Sequence, residues 1–147
     1  FFSSSRMTLR TFRLLPIMLR DQAPPVAQAV GLALAEVLRD QPSALIVASS
    51  DLSHFYPAST ARVLDGEMLA RLESFDPLAL LQAEDEGVGF ACGKGALAAA
   101  LWASRELGAD VVRVLAYATS GDVTGDDDSV VGYGAAAIYR SRGSVPA

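Results

Sequence analysis

The sequence predicts an α/β fold: a layered domain whose mixed, partly parallel sheet is flanked by helices. Three observations carry that prediction. The run Ala44-Leu45-Ile46-Val47-Ala48 is apolar without a break, as in a strand buried on both faces of a parallel sheet. Two stretches, near residues 24–38 and 59–75, place aliphatic side chains at helical spacing. The elements then run β-α-β-α-α-α-β-β, an order that argues for strands and helices in layers.

Each element has a local reason. Phe12 to Leu19 reads as a strand, and Pro16 confines it to an edge or a bulge. Pro24 and Pro25 suit the first turn of a helix, where a missing N–H costs nothing. Val26, Val30, Leu34, Val37 and Leu38 supply its stripe. After the strand Ala44 to Ser49 and a loop from Asp51 to Tyr56, a second helix runs from about Ser59 to Phe75. Its stripe is Ala61, Leu64, Met68, Leu72 and Phe75. Asp76-Pro77 opens a third helix to about Glu84. A glycine-rich loop, Glu84 to Gly95, leads into a fourth helix that stops at Gly108. Val111 to Ala118 is a strand, Thr119 to Ser129 a polar loop, and Val130 to Tyr139 the last strand, with an antiparallel pairing open to the final two. Residues 1–147 read as one domain, structured over about 12–140, with 141–147 a loose tail.

Composition narrows the function classes. The chain has 147 residues, 51% hydrophobic and 20% charged, with a formal net charge of −5. Lys and Arg are scattered, so the basic footprint of a nucleic-acid binder is absent. No apolar run approaches the roughly 18 residues of a membrane span. A single cysteine, Cys92, excludes an internal disulfide and suits a cytoplasmic location. The stretch from Phe1 to Met7 lacks the features of a secretion signal, and reads as the edge of a longer chain.

Two short motifs carry chemistry. Ser49-Ser50-Asp51-Leu52-Ser53-His54 follows the Ala44–Ala48 strand and contains the only histidine. Ligands bind beyond the carboxyl ends of such strands. Histidine suits proton transfer near neutral pH, and a nearby carboxylate favours its charged form. The alternative is that Asp51 caps a turn and His54 is structural. Ser120-Gly121-Asp122 follows its own strand in the same way, so Asp51, His54 and Asp122 are expected on one rim, facing a common crevice. The alternative there is a turn that merely stops a strand. Gly87 to Gly95 fails as a phosphate loop, because Cys92 replaces the third glycine of one fingerprint and Gly95 the hydroxyl of the other. Cys92 can still line a pocket as a small buried thiol. Asp126-Asp127-Asp128 lacks the spacing of a calcium loop and reads as a solvated turn.

Taken in order, Val47 to Phe55, Ala91-Cys92-Gly93, Ser120-Gly121-Asp122 and Val130-Val131-Gly132-Tyr133 resemble the successive signatures of the Memo-like family. Its bacterial members are called AmmeMemoRadiSam system protein B. The resemblance spans about Phe12 to Arg140 and implies the C-terminal half of a domain roughly twice this length. It also implies a fold similar to the class III extradiol ring-cleaving dioxygenases, which use non-heme Fe(II). In that family two metal-binding histidines come from the N-terminal half and a third ligand from the loop that here holds Asp122. Asp51 and His54 match the Asp and His of the family's hexad, the His standing where the dioxygenases keep their acid/base histidine, which implies a catalytic role for the two. Cys92 matches a family cysteine near the pocket, which Ser50, Gly93 and Ser120 are expected to line with it, and Asp122 is the expected metal ligand.

A facial triad needs two histidines and a carboxylate, and this chain has one histidine. The resemblance therefore implies Fe(II) or another divalent metal in the intact protein, with none tightly bound by this chain. Its implied function is a metal-centred pocket whose reaction is open. The alternative is a non-enzymatic scaffold, or a metal-carrying or peptide-binding partner protein. Expected partners are the radical-SAM protein of the same system, a second copy, or the N-terminal half, the last two meeting the Phe12–Leu19 edge with Phe1 and Phe2 beside it. Nucleic acid and membrane are not expected partners.

Overall fold

Small residues let two helices of the fold pack closely. The computed structural model describes residues 12–141; Phe1, Phe2 and tail residues 142–147 lie outside them. Helix α1 (Pro24–Leu38) buries Ala27, Gly31 and Ala35. At Gly31 an added Cβ would lie 2.6 Å from the carbonyl oxygen of Ala99 and 2.7 Å from Trp102 Cβ, both on a later helix. So close an approach admits only small side chains. The expected stripe is displaced to the flanks: Val26, Val30, Leu34 and Leu38 are half-buried and Val37 is exposed.

The loop after Ser49 contains a three-residue strand, β1 (His54–Tyr56). Helix α2 (Ala58–Glu73) buries Ala61, Met68 and Leu72 of its expected stripe, and adds Leu69 and Asp65. Helix α3 (Pro77–Asp85) is capped by the Asp76 carboxylate, which accepts the N–H groups of Leu78 and Ala79 at 2.9 and 3.1 Å. Such a cap contributes about 1 kcal/mol. Helix α4 (Lys94–Glu106) ends before Gly108, whose φ of 86° is the left-handed stop that glycine accepts without strain. Strand β2 (Val111–Thr119), a single turn α5 (Gly121–Thr124) and strand β3 (Val130–Tyr139) complete the chain.

The sheet has the order β1-β3-β2, with β3 in the middle. Its long ladder runs from Val111 opposite Tyr139 to Thr119 opposite Gly132, with a bulge between Val114 and Ala116. Helix α2 packs on the sheet, α3 bridges α2 and α4, and α1 stacks on α4. The core joins Leu52, Met68, Leu69, Leu72, Leu80, Leu81, Leu101 and Trp102. No helix among the described residues is long and apolar enough to cross a membrane.

The α/β class is as expected, and three details differ. Both strand pairs are antiparallel, so the expected parallel component is absent from the described residues. The run Ala44 to Ser49 is not a buried strand: it has no strand partner there, and Leu45 and Val47 are 83% and 76% exposed. Phe12 to Leu19 is likewise unpaired, with only Leu19 packed on the core. An apolar run reports that a segment is suited to burial; burial itself needs neighbours on both sides. The third difference is Ser141, expected in the loose tail, which donates to the Asp110 carboxylate from both its N–H and its hydroxyl.

Candidate functional site

His54 is held by main-chain pairing. Leu52 N–H donates to the Gly132 carbonyl and Gly132 N–H to the Ser53 carbonyl, each at 2.9 Å, and His54 stands opposite Val131. Phe55 then takes a positive φ of 65°, where β1 breaks register between His54 and Tyr56. The imidazole Nε2 lies 3.6 Å from Asp51 Oδ2, with the side chains 34% and 47% exposed. That separation suits an ion pair and is too long for a hydrogen bond. Water reaches both groups, so the pair can exchange protons with whatever occupies the rim.

Three of the expected pocket residues meet beside it. Ser50 Oγ accepts the Gly93 N–H at 2.8 Å and lies 3.7 Å from Cys92 Sγ. Asp51 N–H donates to the same sulfur at 3.2 Å, and Cys92 N–H donates to the Asp51 carbonyl at 3.1 Å. The loop before α4 is thereby stitched to the hexad. Gly93 permits the approach, since a Cβ there would lie 2.7 Å from the Ser49 carbonyl oxygen. Cys92 is exposed, not the buried thiol the sequence suggested. Gln22 closes the cluster from below, donating to the Cys92 carbonyl and accepting the Gly95 N–H.

Asp122 and Ser120 belong to a second cluster. β1 and β2 each run antiparallel to β3, so they point the same way on its two sides. His54 opposite Val131 and Thr119 opposite Gly132 put both motifs at the same end of the sheet. The shared end thus arises from a common antiparallel neighbour and not from parallel pairing. Asp122 Oδ2 accepts the Thr119 N–H at 2.6 Å and its hydroxyl at 3.1 Å, and Oδ1 accepts from Arg62 at 3.0 Å. These bonds, the Thr119 N–H foremost, hold the Asp122 carboxyl below its usual range. Ser120 Oγ accepts the Val131 N–H at 3.1 Å and so braces β3. None of these contacts joins Asp122 to Asp51 or His54.

Asp65 was not singled out from the sequence. It is fully buried, accepts the Ser53 N–H at 2.8 Å and the Tyr117 hydroxyl at 2.7 Å, and so fixes the backbone just before His54. Burial first, then the bond to Asp65, pushes the Tyr117 phenol above its usual range, which keeps it a donor. The signal was present: a carboxylate at helical spacing on the apolar face of Ala61, Met68 and Leu69 needs a partner once buried.

Among the described residues no three His, Cys, Asp or Glu side chains converge as a metal site requires. Asp126 to Asp128 form a turn in which Asp128 N–H donates to Asp126 Oδ1.

Known proteins match the sequence along most of the chain. The MEMO1 family protein of Nitrosopumilus maritimus is 41% identical over 124 residues, 84% of this chain and 45% of the relative. The MEMO1 family protein of Methanothermobacter thermautotrophicus is 39% identical over 123 residues, covering 83% and 44%. That of Thermotoga maritima is 38% identical over 129 residues, covering 86% and 44%. The chain thus spans about half the length of the curated relatives it matches. The profile of the family described as "Memo-like protein" matches residues 1–137, and the chain belongs to the Memo-like family.

Proposed function

We propose that this chain is the proton-handling half of a Memo-like pocket of the extradiol dioxygenase superfamily. The observation that carries the reading is the solvent-accessible His54–Asp51 pair, 3.6 Å apart at the sheet rim, on a backbone fixed by β3 and Asp65. A water-accessible imidazole beside a carboxylate suits general acid–base work. The residues of this chain do not by themselves fit a divalent metal. One imidazole is present, and a cation drawing on Asp122 must displace Arg62. Fe(II) or another divalent ion in the intact protein therefore takes its imidazole ligands from outside these residues.

Calorimetric titration with Fe(II) or Zn(II) under anaerobic conditions tests this. The chain is expected to show no saturation at micromolar metal, while the intact Nitrosopumilus relative is expected to bind stoichiometrically and to keep its metal when the residue aligned with His54 is changed to Asn. A tightly held ion on the isolated chain, or metal lost on that substitution, makes His54 a ligand and overturns the reading. A second reading, a scaffold that docks a protein, is favoured by the exposed apolar side chains of residues 12–18 and 44–48.

A further inference from the structure

The unpaired Ala44–Ala48 run and the free edge of β3 face each other across a cleft of about 610 Å³. Ala44 to Ala48 form one wall, and Gly134, Ala136, Ala137 and Ile138 the other. The floor is apolar, with Leu69 and Leu72 from α2 and Leu97 and Ala100 from α4. The polarity of the β3 wall follows from its ladder. Val131 turns its N–H and C=O towards Ser120, and Gly132 turns its own towards Leu52 and Ser53. By alternation, Gly134, Ala136 and Ile138 direct three N–H and three C=O groups into the cleft. On the opposite wall, the backbone of Leu45 to Ala48 makes no backbone hydrogen bond among the described residues. Two unsatisfied edges over an apolar floor are the negative image of a strand.

We propose that this cleft is a strand-insertion slot, filled by an apolar β-strand from the part of a Memo-like domain that lies outside this chain. Both walls fall within the region matched by the family, residues 1–137, apart from the last residue of the β3 wall. The relatives carry as much chain again beyond their match, enough to supply the strand. The other unpaired apolar segment described in this chain, Phe12 to Met18, is a poor occupant even from a second copy. It would bring Pro16 between two strands, where the missing N–H and the ring break the ladder. The run 44–48 leads into Leu52 and Ser53, which pair antiparallel to β3. A strand between oppositely directed walls runs parallel to one of them, so filling the slot makes the sheet mixed.

Residue-resolved amide exchange by NMR tests the slot. In the isolated chain, Tyr133 and Ala135 face β2 and should exchange at least about 100-fold more slowly than Gly134 and Ala136, which face the cleft. In the intact Nitrosopumilus relative, the amides matching Gly134 and Ala136 should be as slow as their neighbours. Slow exchange at Gly134 and Ala136 in the isolated chain overturns the proposal; with a dimer by sedimentation it means that a second copy fills the slot. Fast exchange at the matching positions of the intact relative overturns it as well. The arm on the intact protein decides by itself if the isolated chain does not hold its fold.

Discussion

Gly132→Ala is the most informative single change the structure offers. Gly132 lies on β3 directly over the buried Asp65 carboxylate. An added Cβ falls within the van der Waals envelope of Oδ2, with Cγ 2.6 Å and Oδ1 3.1 Å away. The obstruction is a fully buried side chain tied to the Ser53 N–H and the Tyr117 hydroxyl, so it cannot swing aside freely. Overpacking costs about 1–3 kcal/mol, and losing one hydrogen bond to a charged group costs roughly 1.5–3 kcal/mol more. The expected loss is about 3–5 kcal/mol. Asp65→Ala removes the obstruction but strands the buried Ser53 N–H, at a cost of roughly 1–3 kcal/mol, plus the Tyr117 bond. Combining the two places the new methyl group on β3 in vacated space, so the double variant should be about as stable as Asp65→Ala alone, with a coupling equal to the full cost of Gly132→Ala, about 3–5 kcal/mol. Urea unfolding reads all four proteins through Trp102, the single tryptophan and 8% exposed. If Gly132→Ala costs the same in both backgrounds, the carboxylate is not what glycine accommodates, and the account of how His54 is positioned fails with it.

Two further perturbations follow. Asp122 has its folded pKa depressed below the ordinary 3.8, so its contribution is complete above that value and is lost as the pH falls through the lower folded value. Asp122→Asn should therefore lower the melting temperature at pH 7, with the gap to the parent closing below about pH 4; a gap that widens in acid refutes the assignment. Gly31→Leu should destabilise by up to about 2 kcal/mol, because overpacking against α4 of about 1–3 kcal/mol outweighs a helix-propensity gain of roughly 1 kcal/mol. Gly66→Ala, on α2 with nothing within 4 Å of the added methyl, should instead stabilise by up to about 1 kcal/mol in the same thermal melt.

What the sequence determined by itself was the local chemistry. Pro24-Pro25, Asp76-Pro77 and Gly108 set helix ends through φ preferences and capping bonds that act within a few residues, and the structure places those boundaries where these residues indicate. Val130 to Tyr139 reads as a strand and is one. The hexad and the three short signatures after it were enough to mark the Memo-like family. Tertiary structure decided everything that depends on what lies next to what. The α1 stripe gave way to Ala27, Gly31 and Ala35 because interhelical distance, a property of two elements together, selects the buried face. Asp65 became the brace behind His54 only when Ser53 and Tyr117 arrived from distant segments. The Ala44–Ala48 run carries the composition of a central strand, yet stands open along the cleft. A chain can encode a strand's appetite for neighbours, but hydrogen-bond partners on both sides have to be supplied by other segments in space.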